Sequence, residues 1–71
     1  RGEEMKEYIY RMAPAQLIET IVSRHGLTRH AISKRTGISY PTILHIYDGR
    51  TKTPVARTVD ALRNLLAELD G

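Results

Sequence analysis

Apolar residues recur along this chain at helical spacing. Leu17, Ile18, Ile21 and Val22 fall at i, i+1, i+4 and i+5, with Gln16, Glu19, Thr20 and Ser23 opposite them. Pro14 suits the first turn of that helix, where its missing amide hydrogen costs nothing, and His25-Gly26 ends it. Near the other end, Val59, Leu62, Leu66 and Leu69 lie along one face, and Leu65 widens the stripe. Thr58 reads as the N-cap of this last helix.

Between these two lies the stretch Leu27 to Gly49, LTRHAISKRTGISYPTILHIYDG, which reads as two short helices with a tight corner. Thr28 is a good N-cap, because its hydroxyl can accept from an unpaired amide of the first turn. The first helix runs from Arg29 to Thr36, with Ile32 inward, and stops at Gly37, where a left-handed residue is cheap only for glycine. Ile38 plugs the corner. Ser39 caps the second helix, Pro41 sits in its first turn, and Ile43, Ile46 and Tyr47 turn inward. Asp48-Gly49 closes it, and Arg50-Thr51-Lys52-Thr53-Pro54 follows as an exposed loop.

The segment Tyr8–Met12 fits two descriptions. Its aromatic and branched residues suit a strand, yet no other segment looks able to pair with it, so a strand here needs a second copy of the chain. The alternative is a helical lead-in to the next element. Taken together, the pattern predicts an all-α fold of four to five helices. Its core is Leu17, Ile18, Ile21, Val22, Leu27, Ile32, Ile38, Ile43, Ile46, Val59, Leu62 and Leu66. Residues 1–13 stand before it as an arm or short strand, and residues 14–71 form the domain.

Seventy-one residues allow one domain, which buries only about 60% of its unfolded surface. There is no cysteine, no metal-ligand cluster, no apolar run of membrane-spanning length and no signal peptide, which points to a soluble cytoplasmic protein. Net charge is +3, but its placement is uneven. Residues 24–52 hold six basic side chains against one acid, Asp48, while each flank carries a net −1. Positive charge concentrated on the paired short helices is a footprint for a polyanion. No serine has a histidine–acid partner by motif and no glycine-rich phosphate loop exists, so neither an enzyme nor a cofactor or small-molecule substrate is expected.

The order "LT", helix, "TGIS", helix, "DG" and a basic loop resembles the helix-turn-helix of the Cro and lambda-repressor-like (XRE-type) family, over roughly Leu17 to Leu66. The resemblance implies that the second helix of the motif lies in the DNA major groove. Ser39, Tyr40, Pro41, Thr42 and His45 would then face base edges. It implies phosphate contacts for Thr28 and Arg29 at the start of the first motif helix, and for Arg50, Thr51 and Lys52 in the loop. Three departures stand out. Ser33 replaces the usual alanine at the helix crossing. Val22 and Tyr47 occupy the places of a buried arginine–glutamate pair, implying apolar packing instead. No glutamine, arginine or asparagine is available on the exposed face of the second motif helix for bidentate base reading.

His25 and His30 straddle a glycine break and carry no function in this reading. The function implied is a small homodimeric transcriptional regulator, a repressor of phage, plasmid or toxin–antitoxin type, bound to a palindromic duplex operator. Tyr8, Ile9, Tyr10, Leu65 and Leu69 are the expected dimer contacts. Two alternatives are a helical protein-interaction module and the DNA-binding piece of a larger regulator or recombinase.

Overall fold

The computed structural model describes residues 6–51 and 53–71. They form five helices: α1 (Glu7–Arg11), α2 (Pro14–His25), α3 (Arg29–Thr36), α4 (Tyr40–Tyr47) and α5 (Ala56–Asp70). No strand occurs among the described residues, so the fold is all-α. α2 is the central element and packs against α3, α4 and α5. α4 lies against α3, and α1 lies on α5.

The helix ends follow local chemistry. Gly26 and Gly37 close α2 and α3 in the left-handed region, at φ 72° and 79°, and each donates its amide back into the last turn. Thr28 accepts from the Ala31 amide at 3.0 Å and caps α3. Ala13 has no acceptor to offer α2, but Gln16 reaches back to the Ala13 amide at 3.1 Å and supplies half of a capping box.

The core consists of Ile9, Leu17, Ile18, Ile21, Ile32, Ile43, Ile46, Leu62, Leu65 and Leu66. Val22, Leu27, Ile38 and Val59 pack around it, partly buried. Ile9 and Leu65 are additions to the expected core, and both correct the sequence reading. Tyr8–Met12 is not a strand. Its backbone closes on itself as a single helical turn, with Ile9 N–H on the Lys6 carbonyl at 3.0 Å. No partner strand is needed, because Ile9 is fully buried against the chain's own core. Leu65 is only 5% exposed, so the broad leucine face of α5 is covered from within by α1 and α2.

α5 also starts earlier than expected. Its first residue is Ala56, and the Val55 carbonyl accepts from the amides of Thr58 and Val59 at 3.0 and 3.2 Å. Thr58 therefore lies inside the first turn and is not the cap. The chain after Pro54 is extended at Val55 and enters the helix directly, with no side-chain cap.

Candidate functional site

The α3–α4 corner is built by hydroxyls. Ser33 Oγ donates to the Ile38 carbonyl at 2.5 Å, across the Gly37 turn. Thr36 Oγ1 donates to the Ile32 carbonyl at 2.7 Å and accepts from the Ile38 amide at 3.2 Å. Both backbone groups of Ile38 are thus satisfied by side chains of α3, which fixes the exit direction of the chain into α4. Ser39 then caps α4, with its hydroxyl 2.7 Å from Thr42 Oγ1 and 3.4 Å from the Thr42 amide.

The corner brings the first turns of α3 and α4 together. His30 and Tyr40 stack ring on ring, with centroids 3.8 Å apart and planes 7° from parallel. Tyr40 is consequently half-buried, while Pro41 and His45 are exposed and Thr42 is intermediate. His30 had no role in the sequence reading. The signal that could have found it is its place in the first turn of α3, facing the first turn of α4.

At its far end α4 is tied to the loop. The amides of Arg50 and Thr51 both donate to the His45 carbonyl, at 2.8 and 3.2 Å, and Gly49 takes φ 82° to allow it. Arg50 is exposed and Thr51 half-buried. Lys52 lies outside the described residues. Thr28 and Ser39 are both engaged as helix caps. Arg29 is half-buried, and its guanidinium carbon lies 4.9 Å from the centre of the Tyr47 ring. That geometry holds the cation over an aromatic face.

Tyr47 corrects a further expectation. Its hydroxyl donates to Glu19 of α2 at 2.8 Å, and the acceptor carboxylate raises the Tyr47 phenol above its ordinary pKa. The α2–α4 link is thus polar, a tyrosine–glutamate bond beside Arg29, where apolar packing was expected.

The five residues expected at a dimer contact do not form one exposed set. Ile9 and Leu65 are in the core, and Leu69 packs against it. Tyr10 is 55% exposed but lies 5.1 Å from the Arg63 guanidinium. Tyr8 donates to the Asp70 carboxylate, which also takes Arg24 at 2.7 Å and His25 at 2.6 Å. Burial pushes the Asp70 carboxyl up, but the bonds from Tyr8, His25 and Arg24 outweigh it and hold it at about 2. This clasp joins α1, α2 and the end of α5.

Behind the corner, Thr36, Ser39, Thr42, Arg57 and Thr58 help to line an open groove of about 330 Å³. It is hydroxyl-rich and shallow, unlike the deep apolar pockets that take small molecules. Among the described residues no three histidine, cysteine or acidic side chains converge as a metal site. No helix among them is long and apolar enough to cross a membrane.

The fold and site define a small all-helical domain whose outward features are the first turns of two short helices and the exposed Arg50 that follows them. No family profile matches the chain, and no solved structure matches it significantly. The chain is 33% identical over 64 residues to "Putative protein P2" of Acyrthosiphon pisum secondary endosymbiont phage 1. The match spans 90% of this chain and 67% of that protein. The chain belongs to the family of this phage protein.

Proposed function

We propose that the chain is a sequence-specific, double-stranded DNA-binding domain of the Cro and lambda-repressor-like class, acting in the cytoplasm as a small transcriptional regulator. It is a binding protein and not an enzyme. The observation that carries this reading is the pairing of the first turns of α3 and α4 through His30 and Tyr40. The stack ties a side chain of the first turn of α3 to the first residue of α4, and the start of a helix carries partial positive charge that suits a phosphate-rich partner. The exposed residues of α4, Pro41 and His45, then face the groove, with Tyr40 and Thr42 beside them. Arg50 and Thr51, whose amides are bonded to the His45 carbonyl, then reach the sugar-phosphate backbone, with Lys52 expected beside them from the sequence. The phage source of the relative favours the phage-regulator form of this reading.

A homodimer on a palindromic operator completes the proposal, since two weak half-sites multiply into one usable affinity. Its contacts cannot be Ile9 or Leu65, which are spent on the monomer's own core.

Selection of bound sequences from a random duplex pool, followed by titrations on the winner, tests the reading. Tyr40→Ala and His45→Ala should each cost ~1–3 kcal/mol on the selected site and much less on random duplex. Arg50→Ala should weaken both and lower the salt slope by roughly one unit. An absence of salt-dependent duplex binding would remove the proposal altogether.

A further inference from the structure

We infer that His30 is a positioning residue, a ring buttress that sets the aim of Tyr40 and thereby the sequence preference of α4. The inference rests on the reading of α4 as the recognition helix. His30 is exposed and belongs to the first turn of α3, while Tyr40 opens α4, ten residues further along the chain. The two rings are nonetheless parallel within 7° at 3.8 Å, the geometry of a full stack. Tyrosine has only two side-chain torsions, and a stacked neighbour covering one ring face removes the rotamers that would swing across it.

The stack matters because this helix lacks the bidentate readers that discriminate bases by hydrogen-bond geometry. A tyrosine discriminates by shape, through a ring edge against a thymine methyl and a single hydroxyl. Such a contact is selective only if the ring arrives already oriented, since a free ring can settle against several sequences. The corner that sets the spacing is itself fixed by Ser33, Thr36 and Gly37. His30 thus converts a rigid backbone corner into a rigid side-chain position.

The test uses the full chain, a duplex selected from a random pool and a random duplex, read by fluorescence anisotropy. His30→Ala should lose about three- to tenfold of the preference for the selected duplex, the range expected from an aromatic pair, with random-duplex binding unchanged. His30→Phe keeps a flat ring in place and should restore the preference. With Tyr40→Ala as background, His30→Ala should have no further effect. Ring protons of Tyr40, shifted upfield under the stacked imidazole, should move toward their free positions in His30→Ala. Full preference in His30→Ala, equal loss on both duplexes, or failure of His30→Phe to restore it would each overturn the positioning role and leave the DNA-binding proposal standing. Wild-type chain that does not prefer any duplex would instead overturn both.

Discussion

Ser33 and Tyr47 each make a side-chain hydrogen bond where the sequence reading expected only packing. In the sequence, Ser33 is read only as a residue small enough to let α3 and α4 approach at their crossing. In the structure its hydroxyl is the donor that satisfies the Ile38 carbonyl. Ser33→Ala should therefore destabilise the domain by about 1 kcal/mol. Urea titration of the two proteins measures this, and equal midpoints would show that water replaces the bond without cost. Tyr47 tells the same story at longer range, since its acceptor Glu19 is 28 positions away. Most of the buried positions were legible from spacing, Ile9 and Leu65 excepted. Hydrogen-bond partners across a glycine turn or between helices were not, because periodicity carries no information about which polar atoms meet.

At the scale of elements, legibility followed length and punctuation. α2, α3 and α4 announce their ends with Gly26, Gly37 and the serine and threonine caps, and the structure places them there. α1 has five residues, too few to display a helical period, and its aromatic and branched composition suits a strand equally well. What decides the matter is tertiary: one buried isoleucine on the leucine face of α5. Ile9→Ala should cost roughly 2–5 kcal/mol, the range for emptying a buried site of this size. Thermal melting reads the loss. A change below 0.5 kcal/mol, the ordinary scale for surface substitutions, would mean that α1 is only loosely laid on the core.

For the whole molecule, the Asp70 clasp makes stability depend on acid. Its carboxyl is held at about 2, below the ordinary 3.8, so the unfolded chain takes up this proton more readily than the folded one. The stabilisation is complete above pH ~4 and drains away as pH falls toward about 2. Asp70→Asn should flatten that part of the pH–stability curve, seen in denaturant midpoints measured across the window. An unchanged slope would show that other carboxylates carry the acid sensitivity. The clasp has a further consequence, in time. Tyr8 and Asp70 are 62 positions apart, whereas Ser33 and Ile38 are separated by five. Short loops close sooner and at lower entropy cost than long ones. The corner that aims α4 should accordingly assemble early, and the meeting of the two chain ends should come last. Pulse-labelled hydrogen exchange during refolding would then protect the amides of α3 and α4 before those of α1, leaving a stage at which the α3–α4 corner exists before α1 and the end of α5 have met.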